Sequence, residues 1–374
     1  MTTGPLATQP MITARAFGQT SEGEAVDLFT LRNAQGMEVQ IATYGATVTS
    51  IRVPDARGEV DDVVLGFDSL DGYLGAHPFF GGTIGRFGNR IARGRFELDG
   101  HEYSLTCNNG GNHLHGGARG FDRRMWTGRG ETSQDAAMVR LRRRSPDGEE
   151  GYPGNLDCEV VYALTAGNEL HIEYRAISDA PTVVNLTHHS YFNLAGRLSD
   201  DILGHQVSIN AAAFLPVDET QIPTGEVRDV LGTAFDLRQP KTIGDAIRQF
   251  DAQLGPAHGF DHNFVLNEAA ATSTAPRLAA RVFEPLSGRV MEVVTTEPGL
   301  QLYVGGFLDG TITGKGGRVY RRHGALCLEA QGFPDAPNQP HFPSTRLDPG
   351  ETYRSSTIYR FSTDAVPHAW KTAR

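Results

Sequence analysis

The residue types best suited to proton transfer lie in residues 184–196, where two adjacent histidines accompany a tyrosine, a serine and two asparagines. The hydrophobic residues around them are typical of a β-strand, in which successive side chains point to opposite faces. His189 and Tyr191 are therefore predicted to share one face, and His188 and Ser190 the other. An imidazole on a rigid element suits acid–base chemistry near neutral pH. A pair of histidines with a purely structural role is the alternative.

A second candidate for proton transfer is Glu329, which follows the apolar residues 325–328 and precedes a proline-rich segment. Burial at the end of an apolar strand would raise the pKa of this carboxyl group toward neutral pH. A carboxylate and an imidazole whose pKa values lie near neutrality can together remove one proton and deliver another. Glu329 is therefore a second candidate for acid–base chemistry.

Two further segments carry groups that could bind a small polar ligand. Residues 81–90 are rich in glycine and end in Asn89 and Arg90, but they match neither a phosphate-binding loop nor the GxGxxG order. They form either a tight turn or a loop that presents Asn89 and Arg90 to hydroxyl groups. Asp261 lies among aromatic residues in residues 259–264, which suits a sugar ring with apolar faces and hydroxyl edges. A polar turn beside two buried phenylalanines is the alternative there.

His113 and His115 form an HxH pair, and two histidines at this spacing are expected on one face of a strand. Such a pair can bind a metal ion, but a complete site needs further ligands. Residues 116–120 contain no acidic residue. We therefore predict no metal site and favour hydrogen bonding of an imidazole to a small polar ligand.

Composition limits the class of protein. The chain has 374 residues and a formal net charge of −10, which argues against a nucleic-acid or anionic-membrane partner. The basic residues 140–144 are followed at once by acidic ones and are predicted to be the solvated end of a strand. Three widely spaced cysteines without a CxxC pair suit reduced thiols. With no recognisable signal segment or membrane-spanning run, a cytoplasmic protein is expected.

Alternating apolar and polar residues predict many short β-strands, among them residues 38–44, 95–99, 169–174, 289–296, 301–304 and 356–361. The 44 glycines and 20 prolines fit many tight turns between them. Three apolar residues with helical spacing predict one short helix near residues 242–252. The expected fold is all-β, a large antiparallel β-sandwich with few short helices. Residues 11–374 are expected to form a single domain after a loose segment of residues 1–10.

Taken together, these segments resemble the aldose 1-epimerases, also called galactose mutarotases. The resemblance runs collinearly from about residue 29 to about residue 361. Its motifs lie at residues 63–67, 84–92, 114–117, 120–122, 145–154, 185–196, 215–218, 222–225, 259–264 and 328–340. So many motifs in one order are far more specific than any single one. The resemblance implies a β-sandwich of the galactose mutarotase-like supersandwich type, with no cofactor and no metal ion.

The resemblance also implies roles for individual residues. His189 matches the general acid of the family, Glu329 matches its general base, and Tyr191 lies beside the acid. The residues expected to bind sugar hydroxyl groups are Asn89, Arg90, His115, Asp261 and Gln301. The implied activity is the interconversion of α and β anomers of free hexoses such as glucose and galactose, as part of hexose and galactose metabolism. The partner would be this small aldose, and the protein would be a monomer or homodimer.

Three other functions stay open at this point. A glycosidase could use Glu329 and Asp261 as paired carboxylates, and a non-catalytic carbohydrate-binding module could use the same pocket. An enzyme acting on phosphorylated hexoses would need several arginines around a phosphate, whereas the motifs offer only Arg90. One departure from the family is His188, which stands where asparagine is common. Because His188 is predicted to face away from the pocket, we expect little effect.

Overall fold

The computed structural model describes residues 9–267 and 275–364. Over these residues the chain forms many short strands and two short α-helices, α1 (Leu70–Leu74) and α2 (Ile243–Ile247). The strands are β1 (Met11–Gln19), β2 (Ala25–Arg32), β3 (Glu38–Ala42), β4 (Thr47–Pro54), β5 (Val60–Asp62), β6 (Thr83–Ile84), β7 (Arg90–Ile91), β8 (Arg95–Leu98), β9 (His101–Ser104), β10 (His113–Leu114), β11 (Thr127–Thr132), β12 (Ala136–Ser145), β13 (Leu156–Thr165), β14 (Glu169–Ser178), β15 (Thr182–Val183), β16 (Thr187–His188), β17 (Gln206–Ile209), β18 (Ala211–Phe214), β19 (Arg228–Asp229), β20 (Lys241–Thr242), β21 (Asp261–Leu266), β22 (Arg277–Phe283), β23 (Arg289–Thr295), β24 (Gly299–Tyr303), β25 (Ile312–Thr313), β26 (Val319–Tyr320), β27 (Cys327–Gln331), β28 (Arg346–Leu347) and β29 (Tyr353–Thr363). Short 3-10 turns lie at Ala92–Gly94, Phe121–Arg123, Glu149–Gly151, Ala252–Leu254, Lys315–Gly317 and Ala336–Asn338.

Three antiparallel sheets account for most of the strands. The largest has the order β11-β12-β13-β14-β29-β23-β22-β17-β20, and the two smaller ones have the orders β1-β2-β3-β4-β5 and β19-β18-β21-β24-β27. Along β13, buried residues alternate strictly with more exposed ones, because successive side chains of a strand point to opposite faces. The strands predicted from this alternation are confirmed, since each coincides with β3, β8, β14, β23, β24 or β29.

One hydrophobic core joins the three sheets. Val160 and Ile172 from the largest sheet belong to the same buried cluster as Ile51 from the first sheet and Leu300 and Leu328 from the third. Full burial of each such side chain stabilises the fold by about 1.5–3 kcal/mol. The predicted all-β sandwich with few short helices is therefore confirmed. Its packing leaves the third sheet with one face on the core and the other available to polar groups.

The short helix predicted near residues 242–252 is confirmed, but it ends earlier than expected. The helix α2 covers only Ile243–Ile247, and the hydroxyl of Thr242 caps its start by accepting a hydrogen bond from the backbone N–H of Asp245 at 3.1 Å. The strand β1 begins at Met11, and residues 1–8 lie outside the described residues. Within the described ranges, no helix is long and apolar enough to cross a membrane.

The basic residues 140–144 are only partly the solvated strand end that their sequence predicts. Arg142 is exposed and pairs with Glu159 on the neighbouring strand at 2.5 Å. Arg143 instead keeps only 6% of its side chain exposed, and its guanidinium lies 4.4 Å from the centre of the Phe121 ring. The correction follows from the pleat of β12, which turns alternate side chains of the strand inward.

Candidate active site

Three predicted site residues lie on the strands β21, β24 and β27. Gln301 on β24 pairs directly with Glu329 on β27, and Asp261 begins β21 on the other side of β24. The residues that flank Gln301 and Glu329 along their strands pack in the core: Leu300, Leu302, Leu328 and Ala330. Alternation therefore turns Gln301 and Glu329 to the opposite face. Glu329 lies in the middle of β27, not at the end of a strand as the sequence suggested.

Asp261 is held by two neighbouring site residues. Gln301 Nε2 donates a hydrogen bond to Asp261 Oδ1 at 2.7 Å, and Arg90 Nη1 lies 3.8 Å from Asp261 Oδ2. Arg90 Nε also donates to Asn109 Oδ1 at 3.1 Å, and its Nη2 donates to Gln221 Oε1. Burial lowers the pKa of Arg90, and the charge of Asp261 opposes that shift. This network places a guanidinium, an amide and a carboxylate around one region of the candidate site, which is called the pocket below.

Asn89 and His115 come from two loops that meet at the pocket. The backbone N–H of Asn89 donates to His115 Nδ1 at 3.1 Å, which leaves the ring proton of the neutral imidazole on Nε2. Burial is the main reason that the pKa of His115 lies well below its ordinary value. Both residues have positive φ, 62° for Asn89 and 51° for His115. Such backbone conformations are costly and occur often at functional sites.

His113 and His115 do not act as a pair. The strand β10 contains only His113 and Leu114, and the positive φ of His115 turns the chain away from the strand. Both ring nitrogens of His113 face protein groups, with Nδ1 2.7 Å from Thr106 O and Nε2 2.6 Å from the Tyr152 hydroxyl. The expectation that the two histidines share one strand face is therefore wrong. His113 is a buried structural residue, and His115 alone faces the pocket.

The predicted faces of residues 188–191 are confirmed. The His189 ring stacks on Tyr191, with ring centres 5.1 Å apart and planes at 12°. His188 Nε2 instead lies 2.7 Å from Ser190 Oγ, and its ring packs 6.0 Å from Tyr359 in the core of the sandwich. His189 thus belongs to the pocket, and His188 belongs to the layer behind it.

His189 and Glu329 form a buried pair, with 3.5 Å between Nε2 and Oε1. Burial raises the pKa of Glu329 well above its ordinary value; Asp261 adds to this shift and Arg90 opposes it. Burial lowers the pKa of His189 to about 3, against a smaller opposing effect of a backbone hydrogen bond. Both groups therefore favour their neutral forms in the free protein, so that one shared proton lies on the carboxyl group. The implied roles of general acid and general base place that proton on the imidazole instead.

Three buried polar atoms of the pocket have no hydrogen-bonding partner among the described residues. They are His189 Nδ1, Gln301 Oε1 and Glu329 Oε2. Buried polar atoms are satisfied in most native structures, so this group indicates a site for a polar ligand. Nitrogen and oxygen ligand atoms of His115, His189 and Glu329 also lie within 4.8 Å of one another. Two imidazoles and one carboxylate are a set that could bind a divalent metal ion.

Several residues near the pocket have no distinctive signal in the sequence. Asn109 and Gln221 both accept hydrogen bonds from Arg90, yet neither belongs to a recognisable motif in its turn-rich segment. Phe79 packs against the rings of His115 and His189. In the sequence, however, a phenylalanine beside a proline and a second phenylalanine predicts only a residue of the hydrophobic core. The positive φ of Gln221, at 65°, marks its position only once the backbone is known.

A buried imidazole–carboxyl pair beside side chains that can donate and accept hydrogen bonds, on one face of a large β-sandwich, suits an enzyme that transfers protons on a small polar substrate. The sequence model of the aldose 1-epimerase family matches residues 27–360. The chain is 51% identical to a galactose mutarotase of Bos taurus, over 94% of this chain and 98% of that protein. It is 40% identical to an aldose 1-epimerase of Escherichia coli K12, over 91% and 96%.

A solved structure supports the same conclusion. The crystal structure of a galactose 1-epimerase from Lactobacillus acidophilus matches with a TM-score of 0.82 and 30% identity, covering 94% of this chain and 99% of that one. The chain belongs to the aldose 1-epimerase family. It is an isomerase that interconverts the anomers of aldoses.

Proposed function

We propose that this enzyme acts on free hexoses such as galactose and glucose, with His189 as general acid and Glu329 as general base. The observation that carries the proposal is the buried pair itself, with 3.5 Å between His189 Nε2 and Glu329 Oε1. The galactose mutarotases to which the chain is about half identical support galactose as one substrate. Anomers formed in this way would feed hexose and galactose metabolism.

The proposed reaction needs two proton transfers in each direction. Glu329 removes the proton of the hydroxyl group on C1 while His189 delivers a proton to the ring oxygen, and the bond between C1 and the ring oxygen breaks. The open aldehyde turns about the C1–C2 bond and closes on its other face, with the two roles exchanged. A well-placed acid or base contributes roughly 10²–10⁴-fold to such a step.

The remaining predicted residues would hold the sugar. The Nε2–H of His115 and the side chains of Asn89, Arg90, Asp261 and Gln301 offer donors and acceptors to hydroxyl groups. Tyr191 stacks on the His189 ring and so helps to hold its orientation. The contacts of its oxygens with Gln301 and Arg90 support a sugar-binding role for Asp261.

Further proposals concern the whole protein. Residues 11–374 form a single catalytic domain that exists as a monomer or homodimer in the cytoplasm. The three free cysteines, of which Cys158 and Cys327 are buried, support a reducing compartment. The formal net charge of −10 favours a small neutral substrate over nucleic acid or an anionic membrane. No step of the proposed reaction calls for a metal ion or a cofactor.

Polarimetry on freshly dissolved α-sugars, one sugar at a time, tests the function and ranks the substrates. We expect faster relaxation of the optical rotation, with no reducing sugar released from glycosides. Release from a glycoside would support a glycosidase, and sugar binding without faster relaxation would support a binding module.

The variant Glu329→Gln tests the proposed base. The amide is similar in size and cannot accept the proton, so we expect sugar binding to persist while most of the turnover is lost. Retention of more than about a tenth of the wild-type rate would contradict general-base assistance of the expected size.

A further inference from the structure

Phe79 lies against both histidines of the pocket. Its ring centre is 4.7 Å from that of His115, with planes at 64°, and 5.8 Å from that of His189, with planes at 21°. Tyr191 packs on His189 in a similar orientation, with planes at 12°. The imidazole of His189 therefore has two aromatic neighbours in nearly parallel planes.

The backbone of Phe79 is held in an unfavourable conformation. Its φ is 60°, in the left-handed region that bulky residues rarely adopt. The turn that follows is hydrogen-bonded to His189 from both sides, since Gly81 N donates to His189 O at 3.0 Å and His189 N donates to Gly82 O at 3.1 Å. Gly82 N also donates to Phe79 O at 3.1 Å. One hydrogen-bonded unit thus fixes the Phe79 ring relative to the imidazole.

A third histidine anchors this turn to the helix α1. His77 Nδ1 accepts a hydrogen bond from Phe80 N at 3.2 Å, so its ring proton lies on Nε2, 3.0 Å from Tyr73 O. The His77 ring also stacks on Phe80, with planes at 9°. Burial lowers the pKa of His77 to about 4, which keeps this anchor neutral and the arrangement intact at neutral pH. Strain at a residue persists when surrounding contacts of this kind outweigh it.

We propose that Phe79 is a positioning residue for the reaction: its ring holds the imidazole planes of His189 and His115 and shields them from water. The inference rests on the proposed acid–base role of His189. Proton transfer needs closely aligned groups, and a misplacement of about 1 Å can cost on the order of 100-fold in rate. A flat ring beside an imidazole restricts its rotation, and a branched aliphatic side chain does not.

Three variants at position 79 distinguish an effect of the aromatic ring from an effect of the strained backbone. Phe79→Leu keeps an apolar side chain, Phe79→Asn suits the left-handed φ, and both lack the ring; Phe79→Tyr retains it. We expect kcat to fall about 10–100-fold in the first two with KM changed less than about threefold, and Phe79→Tyr to restore the wild-type rate. The matched control is Phe67→Leu, since Phe67 is half-buried in the same aromatic group but packs on Tyr73, His77 and Phe80 rather than on His115 or His189.

A second measurement does not depend on catalysis. In the free, histidine-labelled protein at neutral pH, NMR should show faster exchange of the His189 ring N–H with water in Phe79→Leu than in wild type, because water reaches the imidazole. Phe67→Leu should leave this exchange rate unchanged. A Phe79→Leu variant with wild-type kcat and an unchanged exchange rate, or one no different from Phe67→Leu, would overturn the proposal. An inactive wild-type protein with the expected change in exchange rate would instead refute only the proposed function.

Discussion

At the scale of single residues, burial decides which protonation state the acid–base pair adopts. Removal from water disfavours both the imidazolium of His189 and the carboxylate of Glu329. The free pair therefore holds its single proton on the carboxyl group, whereas the proposed roles require it on the imidazole. The two arrangements contain the same number of protons. Hydrogen bonds from sugar hydroxyl groups to the Glu329 carboxylate would favour the charged arrangement.

We predict a bell-shaped pH dependence of kcat/KM whose two limbs belong to the pair. The low-pH limb arises when His189, with a pKa lowered to about 3, takes up a second proton. The high-pH limb arises when Glu329, with its pKa raised, loses the only proton of the pair. The roles implied by the family would instead assign the low-pH limb to protonation of Glu329 and the high-pH limb to loss of the proton from His189. Because the low-pH limb lies near pH 3, polarimetric rates from pH 5 to 10 test the high-pH limb, and a rate that does not fall toward pH 10 would contradict the assignment.

The two adjacent histidines should differ sharply when each is replaced by asparagine. His189→Asn should lower kcat by about 10²–10⁴-fold, because one proton donor is lost. His188→Asn should cost far less and affect mainly stability, since its Nε2 bonds to Ser190 in the layer behind the pocket. Steady-state rates and urea unfolding of both variants provide the measurement. An inactive His188→Asn beside an active His189→Asn would mean that the strand register is shifted by one residue.

At the scale of elements, Arg86 joins the glycine-rich residues 81–90 to residues 145–154. Arg86 is fully buried, and its Nη1 donates to the carbonyls of Pro153 at 2.8 Å and Gly154 at 3.0 Å. Its Nη2 donates to Ser145 Oγ at 2.6 Å. The guanidinium thereby ties residues 145–154 to the loop that leads to Asn89. The same loop packs so closely on Gly116 that a Cβ there would lie 1.8 Å from the Gly85 oxygen.

Replacement of Arg86 by methionine should destabilise the protein strongly. Several buried carbonyl groups would lose their partner, and each unsatisfied group costs about 1–3 kcal/mol. We expect a loss of about 3 kcal/mol or more in the free energy of unfolding, measured with urea. The exposed Arg57→Met serves as the control and should change stability by less than about 0.5 kcal/mol. Equal stability of the two variants would contradict the structural role of Arg86.

At the scale of the whole molecule, burial favours the neutral form of seven of the described histidines. Burial lowers the pKa to about 4 for His77, His113 and His205, and to about 3 for His188, His189 and His262. His115 is shifted in the same direction. A depressed pKa contributes stability above the unfolded value near 6.5, and this stability is lost as the pH falls toward the folded values. Four buried carboxyl groups act in the opposite sense: Asp122 and Glu297, with pKa values raised to about 7, and Glu329 and Asp335.

The balance between these histidines and carboxyl groups predicts that acid destabilises the protein between pH 6.5 and 4.5. Near pH 5.5 the seven histidines take up protons on unfolding and the four carboxyl groups release theirs, for a net uptake of about three protons. The free energy of unfolding should then fall by about 4 kcal/mol per pH unit. Urea unfolding at pH 6.5, 6.0 and 5.5 measures this slope. A stability that does not change over this interval would show that the histidines are accessible to protons in the folded state.

The sequence by itself determined the all-β class and several of the strands, and it predicted the site residues. Period-two alternation is a local property, so it sufficed to place His189 and Tyr191 on one face and His188 on the other. The family resemblance predicted Asn89, Arg90, His115, Asp261, Gln301 and Glu329 as a set. Neither kind of signal requires knowledge of which strands are neighbours.

Only the tertiary structure decided how these residues meet. Glu329 pairs with Gln301 across two strands, and His189 reaches Glu329 from a segment 140 residues earlier in the chain. The separation of His113 from His115 depends on a single positive φ, which alternation cannot predict. The protonation of the pair depends on how much water surrounding loops exclude, and the contact of Phe79 with both histidines depends on a strained turn. Burial and backbone strain are properties of the packed chain, and for this reason their effects on the site cannot be predicted from local sequence patterns.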